Sequence, residues 1–133
     1  MISDVELFLN AAQNNLLLDV RSPGEYAIGH IPGAVSFPLF SDQERAEVGT
    51  IYKQQGQEQA VEHGLKIVGP KLAEFVTSAR QLANGKDIYL YCWRGGMRSN
   101  SMAWLLRTAG FSTHLLEGGY KKYRNVVSDG FNH

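Results

Sequence analysis

Short, almost unbroken apolar runs alternate along this chain with longer stretches whose apolar residues recur every three or four positions. The runs are Leu16 to Val20, Ala34 to Phe37, Asp87 to Tyr91 and Thr113 to Leu116. Runs of that length predict strands buried on both faces. Helical spacing appears from Ile2 to Ala12, through Val5, Leu7, Phe8, Leu9 and Ala12. It returns at Val68, Leu72, Phe75, Val76, Ala79 and Leu82, and again at Met102, Leu105, Leu106 and Ala109 within Asn100 to Ala109. Tyr120 to Val127 is predicted as a terminal helix.

Punctuation agrees with this division. Ser22-Pro23-Gly24-Glu25 reads as a turn into a short helix, with Ser as cap and Pro presetting φ. Pro38 stops the second strand, Pro70 marks a helix start, and Asn84-Gly85 and Gly110 mark helix ends. Between Ser41 and Gly64 the chain is polar and rich in Gln and Glu, predicting helical pieces joined by a loop. No internal repeat or low-complexity tract interrupts the order.

Strands separated by helices predict an α/β fold, a mostly parallel central sheet flanked by helices on both faces. Ligands in such folds bind beyond the carboxyl ends of the strands. Asp19-Val20-Arg21, Cys92 and Glu117-Gly118-Gly119 fall at three of those ends, so they are expected around one pocket.

Composition adds bounds rather than detail. The 133 residues suit one domain; 44% are hydrophobic and 20% charged, as in ordinary globular proteins. Thirteen basic residues balance thirteen acidic ones, so no overall charge marks a nucleic-acid binder. The single cysteine forms no internal disulfide, and the first residues carry no basic patch followed by an apolar core. No apolar run approaches the ~18 residues of a membrane span. A cytoplasmic location without membrane contact is the expectation. His63, His114 and His133 show no metal-ligand spacing, and with one cysteine no zinc site is expected.

That cysteine opens the run Cys92-Trp93-Arg94-Gly95-Gly96-Met97-Arg98-Ser99, between a predicted strand and a predicted helix. Free N–H groups and the positive end of a helix dipole favour an anion there, and two arginines reinforce them. Reactive cysteines need such electropositive surroundings, which favour the thiolate. Otherwise Cys92 is a small buried apolar residue at a strand end.

The set Asp19-Val20-Arg21, Glu25-Tyr26, Gly29-His30-Ile31-Pro32-Gly33-Ala34, a cysteine loop ending Arg-Ser, and Leu116-Glu117-Gly118-Gly119 resembles a rhodanese domain, in family order from Leu16 to about Tyr123. Glu47 to Lys53 and Tyr91 to Ser99 resemble a narrower group, the N-terminal half of the tRNA 2-selenouridine synthase family. That resemblance implies transfer of sulfur or selenium to wobble 2-thiouridine of tRNA, with selenophosphate and geranyl diphosphate as co-substrates. The family has a P-loop domain after its rhodanese half. No Gly-x-x-x-x-Gly-Lys-Ser/Thr occurs in these 133 residues. The expectation is therefore a single rhodanese-like domain, 1–133, which either is excised from a longer protein and meets tRNA through a P-loop domain outside it, or is a stand-alone relative.

The resemblance also bears on the loop. Cys92 and Arg98 enclose five residues. Sulfurtransferases of this fold resemble Cys-x4-Arg, whereas phosphatases and arsenate reductases of the fold resemble Cys-x5-Arg. The wider cradle suits a tetrahedral oxyanion and keeps a phosphatase or arsenate reductase open as an alternative. A non-catalytic module that binds an anion or a partner is a third.

Roles follow from chemistry. Cys92 is the expected nucleophile, accepting sulfur or selenium from a small anionic donor as a persulfide or perselenide-type adduct. Backbone N–H groups from Trp93 through Gly95, Gly96 and Met97 to Ser99 would hold the anion. Arg98 offers a bidentate fork to an oxyanion; Arg94 does the same or stands solvated. Trp93 stacks on a base or isoprenyl chain, or packs at the rim. Ser99 bonds the sulfur or caps the helix. Asp19, Arg21 and Glu25 are expected as supporting charges. His30 holds its turn by a hydrogen bond or acts as a general base. Lys121, Lys122 and Arg124 form a solvated basic group or touch tRNA phosphates.

Overall fold

The computed structural model describes residues 1–94 and 96–129. Its elements run α1 (Val5–Ala12), β1 (Leu16–Asp19), α2 (Pro23–Ile28), β2 (Val35–Ser36), α3 (Asp42–Gln55), α4 (Gln57–Val68), a 3-10 turn (Gly69–Lys71), α5 (Leu72–Ala83), β3 (Ile88–Tyr91), α6 (Met97–Thr108), β4 (Thr113–Leu115) and α7 (Gly119–Ser128). The four strands form one sheet in the order β2-β1-β3-β4, and every pairing is parallel.

Alternation along the strands sends side chains to two cores. Leu16, Leu18, Val20, Ile88, Leu90 and Cys92 face Ala79 and Ala83 of α5 and Met102, Ala103 and Leu106 of α6. Leu17, Tyr89 and Tyr91 face Val5, Phe8 and Ala12 of α1, with Tyr120 and Tyr123 of α7 packed against them. All four residues of β1 and of β3 are buried, which is why their sequences read as continuous apolar runs.

Several boundaries differ from the sequence expectation. The second strand is only Val35–Ser36, because β1 offers it just two register partners, Leu18 and Asp19. No connecting loop lies between Ser41 and Gly64: α3 and α4 meet at Gly56 alone, whose φ of 99° turns the chain without a linker. Val68 closes α4 rather than opening α5, and Pro70 lies in the 3-10 turn. The helix after the cysteine loop starts three residues earlier than its apolar pattern, at Met97. Asn84 ends α5 in the left-handed conformation at φ 48°.

From β1 the chain moves to β2 on one side of the sheet and later to β3 on the other. The order therefore reverses between β1 and β3, whose ends pair Asp19 with Tyr91. A crevice at such a reversal is where open α/β sheets place ligands.

Candidate active site

Cys92 follows the last residue of β3, and its carbonyl accepts a hydrogen bond from the Tyr120 N–H at 2.8 Å. The carbonyl of Trp93 accepts one from Lys121 N–H at 2.9 Å. The first turn of α7 thus clamps the start of the loop. The side chain of Glu117 stays exposed, so beyond β4 the chain meets the loop through the backbone of α7.

At the other end of the loop α6 begins. Its N-cap, Gly96, supplies no side-chain cap, so the first N–H groups of the helix stay free of one. The Cys92 Sγ lies 3.1 Å from the Ser99 Oγ, both residues buried, and Ser99 Oγ also reaches the Gly96 carbonyl at 3.3 Å. Ser99 sits in the first turn of α6 and holds the sulfur instead of capping. Negative charge on that sulfur meets a hydroxyl and the positive end of a helix.

Arg98 is where expectation and structure part. Its guanidinium reaches Glu25, Nη1 to Oε1 at 2.7 Å and Nη2 to Oε2 at 3.4 Å. The fork expected on an oxyanion is occupied by a carboxylate, because Glu25 is fixed in a capping box with Ser22 at the start of α2. Arg45 joins the same carboxylate at 3.1 Å. Burial alone would raise the Glu25 carboxyl, but Arg98, the Ser22 N–H and Arg45 together hold it below its ordinary range.

Beneath the loop Asp19 is fully buried and accepts hydrogen bonds from Arg21 Nε at 3.0 Å and Nη2 at 2.7 Å. Arg21 Nη2 also donates to the Gly29 carbonyl at 2.6 Å, and its guanidinium lies 4.1 Å from the Tyr120 ring centroid. Burial would lower the Arg21 pKa; the hydrogen bonds and charge of Asp19 win and raise it. Tyr91 is pushed far above the ordinary tyrosine range by burial and then by the Asp19 charge, and its hydroxyl accepts from Ile31 N–H at 3.1 Å. Asp19, Arg21 and Glu25 therefore tie strand ends and turns together.

His30 stacks on Tyr26 with ring centroids 3.7 Å apart, and its Nδ1 lies 2.9 Å from the Tyr26 carbonyl. That contact holds the turn. Trp93 packs beside Tyr120 at 6.2 Å, with the Arg124 guanidinium 5.0 Å from its ring. Arg94 and Gly96 are exposed on the loop and Met97 at the start of α6, while Gly95 and His133 lie outside the described residues. Among the described residues no cluster of three or more His, Cys, Asp or Glu is placed to hold a metal, and no helix is long and apolar enough to cross a membrane.

Sequence reasoning missed Arg45, Tyr91 and Tyr120. Arg45 sits in a polar helix with nothing local to mark it. In the sequence Tyr91 ends a strand run and Tyr120 opens a helix; strand register and helix docking bring them to Ile31 and Arg21.

The family model described as the rhodanese-like domain matches residues 4–126. The chain belongs to the rhodanese-like domain family. This rhodanese-like domain is 48% identical over 124 residues to the tRNA 2-selenouridine synthase of Bordetella bronchiseptica, covering 91% of the chain and 33% of that protein. It is 45% identical over 113 residues to the tRNA 2-selenouridine synthase of Serratia proteamaculans, covering 84% and 30%. The chain thus spans about a third of the length of these curated relatives. The crystal structure of an N-terminal domain from Clostridium difficile 630 superposes with a TM-score of 0.85 at 42% identity, covering 96% of this chain and 98% of that one.

Proposed function

We propose that this domain transfers sulfur or selenium through Cys92, as the chalcogen-handling part of a tRNA 2-selenouridine synthase acting on wobble 2-thiouridine. The observation that carries the reading is the Cys92 Sγ held 3.1 Å from Ser99 Oγ at the start of α6. The relatives named tRNA 2-selenouridine synthase support tRNA as the acceptor.

With a sulfane donor such as thiosulfate the step balances without another reagent. The Cys92 thiolate attacks the outer sulfur, a new S–S bond forms, and the donor's S–S bond breaks. The electron pair leaves on sulfite and Cys92 carries a persulfide. The N–H groups at the start of α6 hold the donor's oxyanion and the charge that moves onto it. Selenophosphate is the proposed selenium source. Its selenium is already fully reduced, so the part of the loop is to hold its tetrahedral head.

The phosphatase alternative needs an acid for the leaving group. Glu25 is engaged by Arg98 and Arg45, and Asp19 is buried against Arg21, so neither supplies one. Intact-mass spectrometry after exposure to thiosulfate tests the reading. Gain of one sulfur atom, absent in Cys92→Ser, is expected. Release of phosphate from an aryl phosphate with no sulfur gain from thiosulfate would overturn it.

A further inference from the structure

The two oxygens of Glu25 are loaded unevenly. Oε1 accepts from the Ser22 N–H at 3.0 Å, the Ser22 hydroxyl at 3.1 Å, Arg98 Nη1 at 2.7 Å and Arg45 Nε at 3.1 Å. Among the described residues, Oε2 meets only Arg98 Nη2, at 3.4 Å. A carboxylate oxygen offers about two lone-pair sites, fewer than the donors crowding Oε1. One donor can therefore leave without stranding the carboxylate. Ser22 is fixed as the N-cap of α2, so the partners free to move are the two arginines.

Arg45 is the better anchored of the two. It lies near the start of α3, where the Asp42 carboxylate accepts the Gly24 N–H of α2 at 2.9 Å. A Cβ on Gly24 would come within 2.8 Å of that Asp42 oxygen. A side chain there would push the carboxylate off its bond, so the glycine lets α3 fasten directly onto α2. That junction keeps Arg45 beside Glu25. Arg98 instead belongs to the first turn of α6, the turn that begins beside Cys92.

We infer that Arg45 is a positioning residue for anion binding: it keeps the Glu25 charge compensated while Arg98 turns its fork from Glu25 to an oxyanion in the Cys92 loop. The exchange breaks the two Arg98–Glu25 contacts and makes no covalent bond. Without Arg45, Glu25 would be left with no cation after the exchange and would hold Arg98 back. Arg45 itself acts through Glu25 and not on the anion. Exposed ion pairs add little to stability, and the Arg45 side chain is 48% exposed, so its effect is expected in binding rather than in folding. A use in donor capture rests on the transfer reading; the exchange itself does not.

The test is protection of Cys92 from iodoacetamide by inorganic phosphate at constant ionic strength, read as the concentration that halves the alkylation rate. Arg45→Gln is expected to raise that concentration about fivefold, the size of a modest coupling between neighbouring charges. Arg45→Lys keeps a cation there and should return it to within about twofold of the wild type. Glu25→Gln releases Arg98 and should lower it. In the Glu25→Gln background, Arg45→Gln should change it less than about twofold, because the residue it acts through is gone. Equal effects of Arg45→Gln in both backgrounds would show a direct pull on the anion and overturn the inference. Failure of phosphate to protect the wild type would overturn it as well. A crystal structure with phosphate bound gives a second reading. Arg98 on the anion with Arg45 still on Glu25 is expected, and Arg98 remaining on Glu25 would refute the exchange.

Thiosulfate loading separates this inference from the transfer reading. Arg45→Gln should raise the half-saturating thiosulfate concentration by a similar factor and leave the loading rate at saturation nearly unchanged; a merely structural role would lower the rate at saturation too. Loading of the wild type without the phosphate pattern removes the Arg45 role alone. The phosphate pattern without loading removes the transfer reading alone.

Discussion

Arg98, the last arginine of the cysteine loop, forks onto Glu25, 73 residues earlier, with contacts of 2.7 and 3.4 Å. Glu25 simultaneously caps α2 through Ser22 and holds Arg45 of α3. One carboxylate thus fixes the position of the loop relative to two other helices. Glu25→Gln keeps the shape but removes the charge. It is expected to destabilise the fold by about 1–3 kcal/mol, the loss of charge-assisted hydrogen bonds at a partly buried site. Urea unfolding measures it; an unchanged midpoint would show that these contacts contribute nothing net.

The same carboxylate sets an acid dependence. Its folded pKa lies below the ordinary 4.5, so the native state releases this proton more readily than the unfolded chain does. The resulting stability is present in full above about pH 4.5 and is lost as pH falls through the folded value. In Glu25→Gln the fall in stability over that acid window should be shallower than in the wild type. Parallel curves would assign the acid sensitivity to other groups.

Asp19 and Arg21 are both buried, so removing one strands the other. Asp19→Ala should cost about 3–5 kcal/mol, the penalty of an uncompensated buried charge. Adding Arg21→Met should recover part of that loss, since an apolar pair avoids the unpaired guanidinium. Thermal or urea unfolding of the single and double variants reads out the difference. A double variant less stable than the single would contradict this account.

Tyr91→Phe removes only the hydroxyl that accepts the Ile31 N–H. Because Tyr91 and Ile31 are buried, that amide would be left without its acceptor. The expected cost is about 1–3 kcal/mol, with faster hydrogen exchange at Ile31. Unchanged exchange there would mean another acceptor takes over.

Ser99→Ala takes the hydroxyl from the Cys92 sulfur and leaves a small void. A hydrogen bond worth about 1 kcal/mol corresponds to roughly a fivefold change in rate. Iodoacetamide should therefore alkylate Cys92 severalfold more slowly in the variant at neutral pH, with little change in unfolding midpoint. Faster alkylation would show that Ser99 shields the sulfur rather than supporting its charge.

Much of the fold was legible in local pattern. Leu16–Leu18 and Ile88–Tyr91 read as buried strands because both faces of β1 and β3 are covered, so no polar alternation interrupts them. The α6 start was harder, since Arg98, Ser99 and Asn100 carry loop-like polarity; the helix nevertheless begins at Met97, with the Asn100 N–H bonded to the Gly96 carbonyl at 3.2 Å. The α3–α4 pair was the least legible. α3 buries no residue completely, so it lacks the apolar stripe from which a helix is read.

Chemistry divided in the same way. The amino-acid sequence by itself determined which reactive groups exist and their local setting. It supplies one cysteine, a glycine-containing loop between strand and helix, and an arginine six positions on, all set by spacing within a few residues. Tertiary structure alone decided what those groups face. Strand register set Asp19 beside Tyr91, docking of α7 put Tyr120 over Arg21, and α2 and α3 brought Glu25 and Arg45 to Arg98. These contacts join residues far apart in the chain, and their energies depend on shared burial and orientation, which no local pattern encodes.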